Sequence, residues 1–273
     1  MNSSYHLLIC IALLCFSCKT SNDQDQSNMV KAASIKKSSE NKVQETAKSV
    51  EMKTLDEVMG KFDPSQHEDF ILVDQKYADQ AGRIMHKEAY QAFISMWEHA
   101  QKDGINLQIK SATRNFDYQK GIWERKWTGK RKVEGHSLAE SIPNHTHRAL
   151  KILEYSSMPG TSRHHWGTDI DINAFENEYF ESGQGKKEYD WLVKNAPNYG
   201  FCQPYTAKDE HRPNGYNEEK WHWSYLPVAN QYLAKAKNNM NDSMISGFQG
   251  SETAVEIGVV EKYILGINKS CKH

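Results

Sequence analysis

Two short segments of the chain carry imidazole and carboxylate groups at spacings that could bind a metal ion. In the first segment, His164 and Asp171 lie seven positions apart, and Gly167 between them allows a turn into a strand. In the second segment, Glu219 precedes His222 by three positions. Two histidines and one aspartate form a three-ligand set with an open fourth position, which is typical of catalytic rather than structural zinc.

A site of this composition could hydrolyse a carbonyl compound such as a peptide. Zinc lowers the pKa of bound water towards about 7, and a nearby glutamate can take the proton as the water attacks a carbonyl. A nearby arginine could hold the developing oxyanion. Each residue also has a simpler interpretation, because a histidine beside a tryptophan often only packs and strand carboxylates are often only solvated.

Three motifs together resemble a known family. They are Ser111-Ala112-Thr113-Arg114 with Gln119 five positions after the arginine, Ser162-x-His164-x-x-Gly167-x-x-x-Asp171, and Glu219-x-Trp221-His222. Their types and order resemble the VanY-type D-alanyl-D-alanine carboxypeptidases, which group with D-Ala-D-Ala dipeptidases, phage endolysins and the hedgehog signalling domain. The motif region, residues 111–225, is a little under half of the chain.

The resemblance implies a zinc site and a catalytic base. By position in the motifs, His164, Asp171 and His222 are expected to bind zinc, and Glu219 is expected to be the general base. Arg114 is expected to stabilise the tetrahedral oxyanion or to bind the terminal carboxylate of the substrate.

The resemblance also implies a substrate site, lined by Ser162 and Gln119. Three positions depart from the family pattern: Asp169 stands where alanine is usual, Ser224 where arginine is common, and Thr113 where tyrosine is frequent. None of these departures removes a metal ligand or the base, so they put the substrate preference in question rather than the activity.

Periodicity in the chain predicts the elements that must position these residues. An apolar stripe at helical spacing predicts a helix over residues 87–103, and alternation predicts strands at 107–111 and 167–175. Further elements are predicted as helices at 115–127, 148–155 and 187–195, a strand at 221–225, and a loop or insertion at 128–143. Because no regular βαβ rhythm appears, the α+β class is favoured. The resemblance implies a small antiparallel sheet that carries the zinc site between helices.

Other histidines carry weaker signals. His145 and His147 are spaced so that both rings could face one side, which leaves a second metal site open, although no third ligand is near them and a polar loop is the simpler interpretation. His165 follows a predicted ligand and is expected to point away from the metal.

The N-terminal region is predicted to direct export. Residues 7–16 are apolar but too few to cross a bilayer of about 30 Å, which is typical of a signal peptide. Cys18 follows a small residue and resembles a lipoprotein processing site, although Cys15 stands where leucine is usual and no lysine or arginine precedes the apolar run. We therefore expect a signal peptide at 1–18 that ends at a lipidated Cys18. A plain signal peptide and an uncleaved anchor stay open as alternatives.

The remaining chain is predicted to form a tether and one domain with an extension. Residues 19–55 are polar and lack aromatics, so they are expected to be a disordered tether. Residues 56–240 are expected to form the zinc domain, and 241–273 a C-terminal extension packed on it. Cys202 and Cys271 are then the remaining cysteine pair, and the sequence leaves open whether they form a disulfide.

Charge restricts the possible partners. The 273 residues contain 34 Lys and Arg against 35 Asp and Glu, a formal net charge of −1, which argues against binding to nucleic acid. We expect an exported, lipid-anchored and monomeric zinc carboxypeptidase that removes the C-terminal D-alanine from peptidoglycan stem peptides. Alternatives are an L,D-carboxypeptidase or an endopeptidase using the same site, or a non-catalytic lipoprotein that binds zinc or peptidoglycan, although such a protein would not need a base at Glu219.

Overall fold

A four-stranded antiparallel sheet lies at the centre of the computed structural model, which describes residues 55–272. The expected signal peptide, Cys18, and all but the last residue of the expected tether lie outside these described residues. The strands are β1 (Phe70–Leu72), β2 (Ile84–His86), β3 (Ile109–Ser111), β4 (Asp169–Ile172), β5 (Phe201–Cys202) and β6 (His222–Tyr225). β1 and β2 form a separate antiparallel pair, and the central sheet has the order β3-β4-β6-β5.

The register of the central strands determines which residues share a face. Asp171 pairs with His222, and Asp169 pairs with Ser224, across the antiparallel β4–β6 ladder. Because side chains alternate along a strand, Asp169 and Asp171 face one side of the sheet. Ile170 and its neighbours on the other side belong to a hydrophobic cluster.

Helices cover both sides of this sheet. They are α1 (Lys87–Lys102), α2 (Phe116–Trp127), α3 (Leu138–Ser141), α4 (His145–Ile152), α5 (Gly183–Asn195), α6 (Leu226–Asn239) and α7 (Ala254–Ile257). With short antiparallel sheets and interspersed helices, the structure confirms the predicted α+β class. Within residues 55–272, no helix is both long enough and apolar enough to cross a membrane.

Two hydrophobic clusters stabilise the described chain. One cluster joins α1 to the central sheet through residues such as Phe93, Met96, Ile170 and Trp223. The other contains Trp123 of α2 together with buried residues of α4, α6 and the C-terminal segment. Burying apolar surface against one face of the sheet helps to fix the strands that carry the candidate site.

The C-terminal segment contributes to the second cluster. Phe248, Ile257 and Ile264 are buried in it, and the indole Nε1 of Trp123 donates a hydrogen bond of 2.9 Å to the carbonyl of Gln249. A disulfide joins Cys202 of β5 to Cys271, with a Cα–Cα distance of 5.8 Å, which answers the question left open by the sequence.

Several predicted element boundaries were wrong, including the start of the helix predicted at 187–195, which begins at Gly183. The segment 128–143 is not entirely a loop, because Leu138–Ser141 form the short helix α3. The next helix begins at His145 rather than at Arg148, because the side chain of Asn144 caps it by accepting a hydrogen bond from the backbone N–H of His147. His145 and His147 therefore lie in the first turn of a helix and not in a loop.

Candidate metal centre

Three side chains from separate elements converge on the face of the central sheet that carries Asp169 and Asp171. His164 lies in a 3-10 turn (Arg163–Trp166), Asp171 on β4 and His222 on β6. Each offers one ligand atom, and the three atoms lie within 4.8 Å of one another. All three side chains are buried. The structure thus brings together the three residues that the motifs predicted as ligands.

Gly167 makes the close turn between His164 and β4 possible. Its φ of 69° lies in the left-handed region, which glycine adopts at little cost. A Cβ atom at this position would lie 2.4 Å from the ring of Phe70 and 2.8 Å from the backbone nitrogen of His86. Any larger residue would therefore have to displace a ring or the backbone of β2.

Hydrogen bonds select which ring nitrogen of each histidine faces the centre. The Nδ1–H of His164 donates to the carbonyl of Ala112 at 2.9 Å, which leaves Nε2 facing Asp171 Oδ2 at 3.4 Å. His222 uses the opposite nitrogens, because its Nε2–H donates to Asp169 Oδ2 at 2.8 Å and its Nδ1 lies 3.3 Å from Asp171 Oδ1. Asp171 Oδ1 is buried and accepts no hydrogen bond. Two free imidazole nitrogens and an unsatisfied carboxylate oxygen fit a cation such as zinc.

Asp169 supports this centre through the ring nitrogen of His222 that faces away from Asp171. It is fully buried, and Oδ2 accepts hydrogen bonds from His222 and, at 2.9 Å, from Arg163 Nε. Its other oxygen, Oδ1, accepts from Ser224 Oγ at 2.7 Å and from Thr168 Oγ1 at 2.8 Å. Burial alone would raise the pKa of Asp169, but Arg163 holds that pKa below its usual value.

Two departures from the family pattern, Asp169 and Ser224, thus belong to one network. Arg163 links them, because its Nη2 donates to Ser224 Oγ at 2.6 Å while its Nε donates to Asp169. Arg163 was not among the residues predicted from the sequence. Its charge in the middle of an otherwise buried motif was the signal, since a buried arginine needs an anionic partner.

Glu219 lies near Nδ1 of His222, the ring nitrogen that also faces Asp171. Its Oε2 is 3.2 Å from His222 Nδ1, and the residue is 6% exposed. Its backbone N–H donates to the carbonyl of Tyr205, and its carbonyl accepts from the side chain of Gln203. Burial raises the pKa of Glu219, although the proximity of His222 opposes this shift. A carboxylate so placed can accept a proton at the centre.

Backbone contacts hold Arg114 beside the ligands. Its N–H donates to the carbonyl of His164 at 3.1 Å, and its carbonyl accepts from His165 Nδ1 at 2.5 Å. His165 also accepts from the N–H of Gly160, and burial lowers its pKa to about 3, so this ring is neutral. His165 therefore points away from the metal ligands, as expected. The guanidinium of Arg114 keeps a buried Nε without a hydrogen-bond partner.

The centre opens into a cleft of about 650 Å³ and a small pocket of about 40 Å³. Arg114, His164 and Glu219 line both cavities. The predicted substrate residues Ser162 and Gln119 line only the small pocket. Ser162 Oγ and Gln119 Oε1 are buried without hydrogen-bond partners. The small pocket therefore presents unsatisfied polar atoms next to the ligands.

The second metal site left open at His145 and His147 gains no support. His145 Nδ1 lies 2.7 Å from Glu252 Oε1 at the protein surface. Among residues 55–272, His164, Asp171 and His222 are the only three candidate ligands that converge. The individual roles of the residues at the centre stay predictions.

Comparison with known proteins gives a family match over the same region. The family model described as VanY, D-alanyl-D-alanine carboxypeptidase, matches residues 82–228, which is more than half of the chain. YodJ of Bacillus subtilis, provisionally named a carboxypeptidase, is 30% identical over 61% of this chain and 55% of its own length. A D-alanyl-D-alanine carboxypeptidase of Enterococcus faecalis is 27% identical over 49% of this chain and 45% of its own length. The chain spans about half the length of these curated relatives.

Solved structures align with this chain at lower sequence identity. A vancomycin-resistance D,D-pentapeptidase VanY solved in complex with Zn(II) aligns with a TM-score of 0.44 and 22% identity. The alignment covers 70% of this chain and 92% of that one.

Proposed function

The chain belongs to the VanY family of D-alanyl-D-alanine carboxypeptidases, and from that premise we propose that it is a zinc-dependent carboxypeptidase that removes the C-terminal D-alanine from peptidoglycan stem peptides. The observation that carries this proposal is the buried group of His164, Asp171 and His222, with Glu219 on its ligand side and Arg114 beside it. Zinc held by three protein ligands supplies Lewis-acid chemistry and lowers the pKa of water towards about 7.

Glu219 would move the proton in the reaction. Its Oε2 lies on the side of His222 that faces the other ligands, so it can take a proton from the water that attacks the peptide carbonyl. The same oxygen can then pass this proton to the nitrogen of the leaving D-alanine. Burial raises the pKa of Glu219 above its usual value, which strengthens it as a proton acceptor.

Arg114 would recognise charge on the substrate. Its guanidinium lines both cavities and retains an unsatisfied donor, so it can bind either the developing oxyanion or the free terminal carboxylate. Ser162 Oγ and Gln119 Oε1 offer polar atoms to a leaving residue in the small pocket. A small polar pocket beside an arginine suits a C-terminal alanine.

Defined peptides test this proposal. The zinc-loaded protein is incubated with tripeptide, tetrapeptide and pentapeptide stems, and products are identified by mass. Release of D-alanine from the pentapeptide supports the proposal, whereas cleavage of the tetrapeptide alone indicates an L,D-carboxypeptidase. A second pentapeptide with an amidated C-terminus is the control. Equal rates on the free and amidated pentapeptides would contradict a carboxypeptidase and indicate an endopeptidase.

We also propose that the protein is exported and held on a membrane of the cell envelope by a lipid on Cys18. The apolar residues 7–16 before Cys18 support export, and the disulfide between Cys202 and Cys271 is typical of an oxidising compartment. A Cys18→Ser variant should lose incorporation of labelled fatty acid and move from the detergent phase to the aqueous phase. Unchanged partition of this variant would contradict the anchor.

A further inference from the structure

One wall of the cleft is lined by cations that form no ion pair within residues 55–272. Arg114, Arg125, Lys126 and Arg131 line this cavity, and none of them forms an ion pair with another residue among 55–272. The backbone N–H of Arg131 donates to the carbonyl of Arg125 at 2.7 Å, which folds the chain back against the end of α2. Three of the four cations, at 125, 126 and 131, therefore come from one helix end and the loop after it.

Two other cations that line the cleft share one carboxylate. Arg83 Nη2 lies 3.1 Å from Asp79 Oδ1, and Lys110 Nζ lies 3.3 Å from Asp79 Oδ2. Glu176 and Glu178 also line the cleft, but neither forms an ion pair with any of the four unpaired cations. The cleft-lining cations that form no ion pair are therefore Arg114 and the three at the end of α2.

Lys126 is the most constrained of these cations. It is half-buried, and its Nζ donates a hydrogen bond of 2.5 Å to Ser156 Oγ, a residue of the same cleft. Burial lowers its pKa to about 8, and the charge of Arg131 lowers it further in the same direction. Holding an ammonium group in this position costs free energy unless an anion binds there.

Under the proposed function, the leaving D-alanine occupies the small pocket, which the predicted substrate residues Ser162 and Gln119 line. That pocket is much smaller than the cleft, at about 40 Å³ against about 650 Å³. The rest of the substrate, on the acyl side, must then lie in the large cleft. Arg125, Lys126 and Arg131 line the large cleft but not the small pocket. These three cations therefore face the acyl side of the substrate.

We propose that Arg125, Lys126 and Arg131 form a subsite for a second carboxylate, carried by the acyl side of the substrate. This inference rests on the proposed function and narrows the substrate class to acyl peptides with a free carboxylate in addition to the terminal one. Ammonium and guanidinium donors form charge-assisted hydrogen bonds with a carboxylate, which are stronger than those with a neutral amide.

Two pentapeptides that differ in one group test the subsite. Both end in D-Ala-D-Ala, and an acyl-side glutamyl residue carries either a free carboxylate or a carboxamide. For the zinc-loaded wild type, we expect kcat/KM to be about 10-fold higher for the carboxylate peptide, the scale of one charge-assisted hydrogen bond. Equal values for the two peptides would refute the subsite and leave the carboxypeptidase function intact. Cleavage of neither peptide would overturn both.

Substitutions of the cations test whether they cause the preference for the carboxylate peptide. Lys126→Met should reduce the ratio of the two kcat/KM values from about 10 to about 1–3, and Lys126→Arg should retain most of it. Arg131→Gln should also lower the ratio, and because Arg131 is exposed this variant tests the subsite even if Lys126→Met fails to fold. Lys130→Met is the matched control, since Lys130 is exposed and does not line the cleft. If Lys130→Met lowered the ratio as much as the other variants, the preference would come from the overall positive charge of the protein. That result would refute the subsite.

Discussion

At the metal centre, the buried charged groups have partners on several sides, whereas the cations at the end of α2 have no carboxylate partner. Asp169 alone accepts hydrogen bonds from Arg163, Thr168, His222 and Ser224. Lys126, in contrast, donates to one neutral hydroxyl group. The metal centre and the end of α2 border the same cleft. The charged groups of the centre are paired with opposite charges, whereas the cations at the end of α2 form no ion pairs within residues 55–272.

This difference follows from what each region must do. Metal ligands must be held within a few tenths of an ångström, and paired strands with buried supporting hydrogen bonds provide that precision. A subsite that selects by charge needs available donors instead, and a helix end with a following loop leaves them unpaired. We therefore expect substitutions at the centre to reduce turnover or metal affinity, and substitutions at the wall to change which substrate is preferred.

The largest effect is expected at Glu219. Glu219→Gln keeps the size of the side chain but removes its basicity, so kcat should fall by about 10²–10⁴-fold while bound zinc is retained. Steady-state kinetics and metal analysis of the same preparation measure both quantities. Glu218→Gln is the matched control because Glu218 does not line the cleft. Near wild-type turnover in zinc-loaded Glu219→Gln would show that another group is the base.

A smaller effect is expected at Asp169, which orients His222 without facing the cleft. Asp169→Asn should weaken zinc affinity by about 10–100-fold, measured by competition with a chromophoric chelator. It should also destabilise the fold by about 3–5 kcal/mol, because the buried charge of Arg163 loses its partner.

The double variant Asp169→Asn with Arg163→Met separates these two effects. Removing the unpaired charge should restore most of the stability in thermal unfolding of the metal-free protein, but not the zinc affinity. If the double variant binds zinc as tightly as wild type, Asp169 only neutralises Arg163 and does not position His222.

The smallest effect is expected when a change of pH alters the charge of Lys126 at the end of α2. Lys126 has a pKa of about 8, so it is charged below that pH and neutral above it. The preference for the carboxylate peptide should therefore decline as pH rises from 7 to 9, by about threefold, since the neighbouring arginines stay charged.

The charged groups that face Lys126 are Arg131, Arg114 and Glu219. Titration of Glu219 should affect both peptides equally and cancel in the ratio of their kcat/KM values. In Lys126→Arg the ratio should stay flat over the same pH range, and an equal decline in that variant would exclude Lys126 as the cause.

Much of the candidate site was predictable because its motifs are local. The pairs His164 and Asp171, and Glu219 and His222, are each close in sequence, so their spacing already restricts their geometry. The strand predicted at 167–175 already implies that Asp169 and Asp171 share a face, because side chains repeat every two residues along any strand. The α+β class followed from the mixture of helical and alternating patterns.

The role of Asp169 could not be read from its position in the motif. It required knowing that β4 pairs with β6 in the register that sets Asp169 opposite Ser224, and that the turn before β4 brings Arg163 back towards both residues. Likewise, α3 was missed because four residues give too little periodicity to detect. The start of α4 was missed because the cap at Asn144 was not recognised.

The sequence by itself determined the donor types, their order and the family, because these depend on residues that are near one another in the chain. Only the tertiary structure decided which nitrogen of each histidine faces Asp171, the burial that raises the pKa of Glu219, and the convergence of unpaired cations on one cleft wall. Those properties depend on distances and solvent exclusion between segments far apart in sequence. They are set by strand register and packing, and no local pattern encodes them.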